Sequence, residues 1–302
     1  MNNLDMSVNI AGVKWKNPIT TASGTFSVRE SGAFYDLSEL GALTTKGVSY
    51  EEWEGTATPR IAETYGGMLN SIGLQNKGVG PFIEEELPLL KKYDTPIIVN
   101  VVGKTIEEYC RVVERLSETD IDMLELNISC PNIKEGGISF GTEPKMAFSL
   151  VEKVRKITKK ALIVKLSPNV TDITEIARSV EAAGADCLSL INTLLGMRID
   201  VAKRKAVLAN RVGGLSGPAI KPVALRMVYE VRRAVNLPII GMGGIMTGED
   251  AVEFLMAGAD AISVGTASLI DPTAPLRIKN ELREFMLEYN YKSIKEIELL
   301  EE

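Results

Sequence analysis

The chain has 302 residues, 45% hydrophobic and 25% charged, a composition typical of a globular protein rather than a disordered or fibrous one. Its net charge of −6 disfavours nucleic acids and anionic membranes as partners, and no apolar stretch is long enough to span a bilayer. The chain has no histidine, which excludes Ser-His-Asp triads, Cys-His pairs and His-ligated metals. Any acid–base chemistry must therefore use Cys, Lys, Tyr, Asp or Glu. The first residues lack a signal pattern, so we expect a cytoplasmic protein.

Short apolar runs that predict β-strands alternate with amphipathic helical patterns along the chain. The predicted strands are 19–23, 42–47, 97–102, 123–129, 162–167, 187–193, 239–243 and 261–266. The predicted helices include 81–92, 105–118, 144–159, 172–183, 221–235 and 249–257. This alternation implies parallel strands joined by helical crossovers. It predicts a single α/β domain over residues 1–302, a (β/α)8 TIM barrel.

A weak internal repeat supports the barrel. Ala183-Gly-Ala-Asp186 and Ala257-Gly-Ala-Asp260 each follow a predicted helix and precede a predicted strand. The alternative is an open doubly wound sheet. It is disfavoured because the glycine-rich segment 241–246 has methionine where a dinucleotide fingerprint has its third glycine.

Chemically active residue types concentrate where the predicted strands end. In a barrel these ends meet on the face where such enzymes place their active sites. We therefore expect one site built from Ser23, Lys46, Asn100, Asn127, Cys130, Lys165, Asn192, Thr193 and the pairs Gly243-Gly244 and Gly265-Thr266. The connections 48–80 and 194–218 are unusually long, and we expect them to be loops over this active site.

The residue types suggest what the site binds. Glycine pairs after the last two strands fit a phosphate group, because backbone N–H groups approach an anion closely where no Cβ intervenes. Lys46 and Lys165 suggest stabilisation of an electron-rich ring or substrate anion, with a Schiff base on Lys165 as the alternative. Among the three cysteines, Cys110 and Cys187 fit core positions, whereas Cys130 lies at a strand end beside carboxamides. None has the spacing of a redox pair, zinc site or iron–sulfur cluster.

Longer motifs across the whole chain resemble the catalytic subunit of the class 1 dihydroorotate dehydrogenase family. The matching segments are Asn17–Phe26 (NPITTASGTF), Thr44–Gly47 (TTKG), Asn70–Asn76 (NSIGLQN), Asn127–Asn132 (NISCPN), Val164–Pro168 (VKLSP) and Gly241–Ile245 (GMGGI).

This resemblance implies an FMN-dependent barrel that oxidises dihydroorotate to orotate in de novo pyrimidine (UMP) biosynthesis. Cys130 would be the base that removes the C5 proton, and hydride would pass from C6 to the flavin. The residues implied for FMN are Ala22, Ser23, Lys46, Gly47, Asn100, Asn127, Lys165, Ile191, Gly217, Gly243, Gly244, Gly265 and Thr266. Those implied for orotate are Lys46, Asn70, Ser71, Ile72, Gly73, Leu74, Asn127, Asn132, Asn192 and Thr193.

Two segments, 130–137 and 209–221, resemble the NAD-linked branch of the family. That branch implies a homodimeric core bound to a second subunit that carries FAD and a 2Fe–2S cluster, a heterotetramer of two plus two. The alternatives are a stand-alone enzyme that uses fumarate, another FMN barrel reductase, a Schiff-base aldolase and a non-catalytic binding barrel. Nucleic acid and membrane partners are not expected.

Overall fold

Eight parallel strands form the central sheet in the computed structural model, which describes residues 4–128 and 140–301. The strands, numbered one to eight in chain order, are Ile19–Thr21, Leu43–Thr44, Ile97–Val101, Met123–Asn127, Ala161–Lys165, Cys187–Leu190, Ile239–Gly241 and Ala261–Val264. Strands one and two meet through a parallel bridge between Thr20 and Ala42, which closes the sheet. The predicted (β/α)8 barrel is confirmed, and the open doubly wound sheet is wrong.

Helices follow the strands and pack against the outside of the barrel. They are Val28–Ser31, Val79–Pro81, the π-helical Phe82–Glu86, Leu87–Leu90, Ile106–Ser117, Pro144–Ile157, Ile173–Ala182, Lys221–Arg232, Gly248–Met256, Ala267–Ile270 and Ala274–Glu288. Short 3-10 turns occupy Leu37–Glu39, Pro218–Ile220 and Ile294–Glu296. Within the described ranges, no helix combines the length and apolarity that a bilayer crossing requires.

Local sequence explains where these helices begin. The Thr105 side chain accepts a hydrogen bond from the Glu108 backbone N–H, which satisfies a donor that the first helical turn leaves open. Thr247 and Asp250 form a complete capping box at Gly248–Met256. The six predicted helices are confirmed, whereas Ala274–Glu288 was not predicted.

An N-terminal hairpin covers the amino ends of the barrel strands. Its strands are Val8–Ile10 and Val13–Trp15, which pair antiparallel. Ile10 and Trp15 are fully buried against strand residues such as Ile98. The hairpin therefore seals the barrel at the end away from the polar strand termini.

The aspartate of each repeated Ala-Gly-Ala-Asp segment pairs with an arginine from a preceding helix. Arg155 Nη1 donates to Asp186 Oδ2 at 2.6 Å, and the same oxygen accepts from the Leu162 backbone N–H at 2.8 Å. Arg232 pairs in the same way with Asp260, whose Oδ2 accepts from the first backbone N–H of strand seven at 2.8 Å. We call these two units the Arg–Asp clamps. Each joins the end of a helix to the starts of two neighbouring strands.

The two long connections are more regular than predicted. Together they form one antiparallel sheet, here called the mouth sheet, in the order Leu194–Met197, Val212–Ser216, Gly67–Asn70 and Ile61–Thr64. A small hairpin, Ile199–Asp200 with Lys205–Ala206, extends from it. The two ranges were expected to be loops. That expectation was wrong, because the two segments pair as strands and satisfy each other's backbone hydrogen bonds.

Candidate active site

A cavity of about 720 Å³ lies at the carboxyl ends of the barrel strands. Pockets for cofactors and small substrates commonly have volumes of this order. Strand-end residues such as Asn100 and Lys165 line one side, and mouth-sheet residues such as Met68 and Gly214 line another. The barrel and the two long connections thus build one site.

Nearly all of the described residues that were predicted for the site line this cavity. They are Ala22, Ser23, Lys46, Gly47, Asn70, Ser71, Ile72, Gly73, Leu74, Asn100, Asn127, Lys165, Asn192, Thr193, Gly217, Gly243, Gly244, Gly265 and Thr266. Ile191 is the exception, because it is buried behind Gly243 rather than on the cavity wall. Cys130 and Asn132 lie outside the described residues, so their predicted roles stay predictions.

Three glycines form a backbone cradle at one end of the cavity. Gly217, Gly243 and Gly244 have φ values of 99°, 129° and 79°, which L-residues with side chains rarely adopt. A Cβ on Gly244 would lie 2.8 Å from the Gly217 carbonyl oxygen. Only glycine fits this approach, and the exposed backbone can then face an anionic group.

The two predicted lysines occupy different environments. Lys165 is 5% exposed, and its Nζ donates to Ser23 Oγ at 3.3 Å. Lys46 lines the same cavity but is solvent-exposed. The site therefore has one cation fixed in its wall and a second one at its surface, both able to stabilise a bound anion.

Carboxamides on neighbouring strand ends are hydrogen-bonded in series. Asn192 Nδ2 donates to Asn127 Oδ1 at 3.3 Å, and Asn127 Nδ2 donates to Asn100 Oδ1 at 3.3 Å. Asn100 Nδ2 donates in turn to the carboxylate of Glu125, which also accepts from Ser189 Oγ at 2.8 Å. Sequence reasoning missed Glu125, although a charged residue inside the apolar run Met123-Leu-Glu-Leu126 was the available signal.

A charged cluster lies beside the glycine cradle. Lys221 Nζ donates to Asp250 at 2.5 Å and to Glu253 at 3.1 Å. Burial alone would raise the pKa of Asp250, but hydrogen bonds from Lys221 and two backbone N–H groups hold that pKa below its usual range. Burial alone would lower the pKa of Lys221, and its two carboxylate partners raise it. This lysine is engaged by carboxylates and joins helix Lys221–Arg232 to helix Gly248–Met256.

The mouth sheet holds the predicted substrate segment in place. Asn210 Nδ2 donates to Ser71 Oγ at 3.0 Å, and Asn70 Nδ2 donates to the Gly214 carbonyl at 3.4 Å. Sequence reasoning missed several other lining residues because their positions depend on this pairing. They include Arg60, Ile61, Met68, Leu195, Asn210 and Val212. Met242, Met246, Ser263 and Leu269 were also missed, and they lie in or after strands seven and eight rather than in the mouth sheet.

The two described cysteines differ in exposure. Cys187 is fully buried, as predicted, and burial raises the pKa of its thiol well above its usual value. Cys110 is only partly buried, so its prediction as a core residue was too strong; burial raises its pKa as well. Among residues 4–128 and 140–301, no group of three or more His, Cys, Asp or Glu side chains is arranged to hold a metal ion.

Comparisons with known proteins identify the family to which this architecture belongs. The family model for dihydroorotate dehydrogenase matches residues 5–286. Three similar relatives carry the name "Dihydroorotate dehydrogenase B (NAD(+)), catalytic subunit". The chain is 60% identical to the protein of Alkaliphilus metalliredigens over 98% of this chain and 99% of that one. It is 58% identical to the Alkaliphilus oremlandii protein, with the same coverage, and 54% identical to the Geobacter metallireducens protein over 98% of both. The chain therefore belongs to the dihydroorotate dehydrogenase family.

Proposed function

We propose that this protein oxidises (S)-dihydroorotate to orotate in de novo pyrimidine biosynthesis, with FMN as its cofactor and the cytoplasm as its location. One observation carries the proposal. A single cavity joins a glycine cradle suited to a phosphate with a wall of carboxamides and a buried lysine suited to a polar heterocycle. The family membership and the printed names of the relatives support the same reaction.

The cradle would suit the phosphate of FMN. A methyl group at Gly244 would collide with the Gly217 oxygen and with Lys221, so the main chain packs closely here and lines the cavity without side chains at Gly217, Gly243 and Gly244. Gly217, Gly243, Gly244, Gly265 and Thr266 would hold the phosphate. Ala22, Ser23, Lys46, Gly47, Asn100, Asn127 and Lys165 would surround the ring, with Ile191 packed behind. When bound, FMN supplies the acceptor for two electrons.

The reaction removes one proton and one hydride from adjacent carbons of the substrate. In this proposal Cys130 accepts the proton from C5 while hydride leaves C6, which gives the C5–C6 double bond of orotate. Asn70–Leu74, Asn127, Asn132, Asn192 and Thr193 would orient the substrate. Lys46 and Lys165 would stabilise negative charge in the cavity.

The proposal includes a partner subunit that passes the electrons to NAD. The relatives' names contain both "NAD(+)" and "catalytic subunit". Four apolar side chains that line the cavity are also at least 44% exposed: Ile61, Leu195, Val212 and Leu269. An exposed apolar rim of this kind is typical of a docking surface. The partner would carry FAD and a 2Fe–2S cluster, in a heterotetramer built on a homodimeric core.

The test is anaerobic mixing of the purified, FMN-loaded chain with dihydroorotate. We expect the flavin absorbance to bleach and one orotate to form per flavin. The chain alone should reduce an artificial dye but neither NAD nor fumarate. Absence of bleaching would refute the proposed reaction, whereas rapid fumarate reduction would assign the stand-alone branch. Borohydride trapping of substrate on Lys165 would favour the aldolase alternative.

A further inference from the structure

The carboxamides of the cavity wall form a relay with one direction. From the cavity inward, each side-chain nitrogen donates to the oxygen of the next group, in the order Asn192, Asn127, Asn100. The relay ends at Glu125, which is 2% exposed and does not line the cavity. The carboxylate is therefore a buried terminus behind three side chains that face the ligand space.

A carboxylate at this terminus fixes the direction of the relay at its buried end. An ionised carboxylate only accepts hydrogen bonds, so the end of Asn100 that faces it must be the nitrogen. The oxygen of Asn100 then faces Asn127, whose nitrogen must turn toward it. At the other end of the relay, Asn192 Oδ1 accepts from the Thr193 backbone N–H at 2.8 Å, so Asn192 has its own anchor, which agrees with this direction. Ser189 cannot impose this direction, because a hydroxyl both donates and accepts.

We infer that Glu125 is a positioning residue that fixes which end of Asn100, and through it which end of Asn127, faces the bound ligand. The inference rests on the proposed function, in which Asn127 and Asn192 contact substrate and Asn100 contacts the flavin. The pyrimidine ring of orotate presents N–H donors and carbonyl acceptors side by side. A reversed carboxamide would place donor against donor or acceptor against acceptor, so the direction of the relay sets the affinity for this ring.

Glu125 lies inside the barrel, and its described hydrogen bonds are with buried neighbours. Its two described contacts are with Asn100 and Ser189, which lie on strands three and six and are fully buried. Register pairing places Asn100 directly opposite Glu125 on the neighbouring strand. Strand geometry therefore holds the carboxylate at the base of the relay.

The experiment compares Glu125→Gln with the matched control Ser189→Ala, both as FMN-loaded protein. Glutamine keeps the shape of the side chain but offers both a donor and an acceptor, so Asn100 can adopt either orientation. Ser189→Ala removes the other hydrogen bond of Glu125 and leaves an acceptor facing Asn100. Orotate affinity is measured from the flavin absorbance change on titration, and FMN content and urea unfolding are measured in parallel.

We expect Glu125→Gln to weaken orotate binding by about tenfold or more, the scale of one mispaired buried hydrogen bond. Ser189→Ala should stay within about threefold of the wild type. Glu125→Asp keeps a carboxylate at the base of the relay. It still presents only acceptors to Asn100, so it should bind orotate more tightly than Glu125→Gln.

Each outcome decides the inference. Unchanged orotate affinity in Glu125→Gln would overturn it, as would equal losses in Glu125→Gln and Ser189→Ala, which indicate packing alone. If Glu125→Gln does not fold, Glu125→Asp is compared with Ser189→Ala: orotate affinity close to the control supports the relay, and a loss of about tenfold or more contradicts it. A wild-type protein that binds neither FMN nor orotate would instead refute the proposed function.

Discussion

Replacing Gly244 by alanine tests whether the cradle depends on a backbone that only glycine can adopt. Its φ of 79° is unfavourable for an L-residue by about 1–2 kcal/mol. The added Cβ would also lie 2.8 Å from the Gly217 oxygen and 2.9 Å from the Lys221 backbone nitrogen. Both atoms belong to the main chain, so relief requires backbone movement, with a cost of about 1–3 kcal/mol. We expect Gly244→Ala to lower the free energy of unfolding by about 2–5 kcal/mol.

Gly265→Ala is the matched control at the other proposed phosphate position. A Cβ there would meet only the Ala22 Cβ at 3.4 Å, an ordinary contact. The unfolding free energy should therefore stay within about 1 kcal/mol of the wild type. FMN binding should still weaken, because the methyl group would occupy the space proposed for the phosphate.

Urea denaturation of the FMN-free proteins followed by circular dichroism gives the stabilities, and quenching of flavin fluorescence gives the FMN affinities. Gly244→Ala should lose both stability and affinity, and Gly265→Ala only affinity. Wild-type stability in Gly244→Ala would refute the steric argument. Wild-type FMN affinity in Gly265→Ala would remove strand eight from the phosphate site.

Cys130→Ser should retain FMN but slow flavin reduction by dihydroorotate about 10²–10⁴-fold in stopped flow, the scale of a general base, while Cys110→Ser reduces near the wild-type rate. Arg232→Ala should lower the free energy of urea unfolding by about 1–3 kcal/mol without changing FMN content, because it loses a carboxylate partner and two backbone carbonyls far from the cavity. The pKa of Asp250 lies below its ordinary 3.8: burial acts to raise it, but hydrogen bonds from Lys221 and two backbone N–H groups, with the charge of Lys221, together outweigh burial. The stability from this group is therefore present above the ordinary value and is lost as pH falls through the lowered one. The unfolding free energy should thus fall below about pH 4, less steeply in Asp250→Asn. Steady-state NAD reduction should require the second subunit; NAD reduction by this chain alone would contradict the partner proposal.

The barrel could be predicted from the sequence because its strands are buried on both sides. Such strands are continuous apolar runs, as in 97–102, and they change abruptly to polar residues where the cavity begins. That change at eight successive runs also located most of the site. The strands were predicted slightly too long, because residues such as Asn192 lie beyond the regular strand, although the Asn192 backbone N–H still donates to the Leu166 carbonyl at 3.1 Å.

The mouth sheet could not be predicted in the same way. Its pairing joins Asn70 to Gly214, which are far apart in the chain, and local sequence patterns do not predict such a contact. Glu125 was missed for a related reason. A carboxylate inside an apolar run is explained only by partners on other strands, which the fold brings together. The roles of Cys130 and Asn132 stay predictions.

The Arg–Asp clamps and the N-terminal hairpin place the main structural ties of the barrel at the end opposite the cavity. Because strand register is secured there, a change in the mouth segments 48–80 or 194–218 need not propagate into the sheet. Evolution could therefore vary acceptor preference or partner choice by replacing these segments while the base of the barrel stayed constant. Chimeras that exchange both mouth segments together between family members should still fold on the common base of the barrel. Exchange of one segment alone would break the sheet that the two segments share.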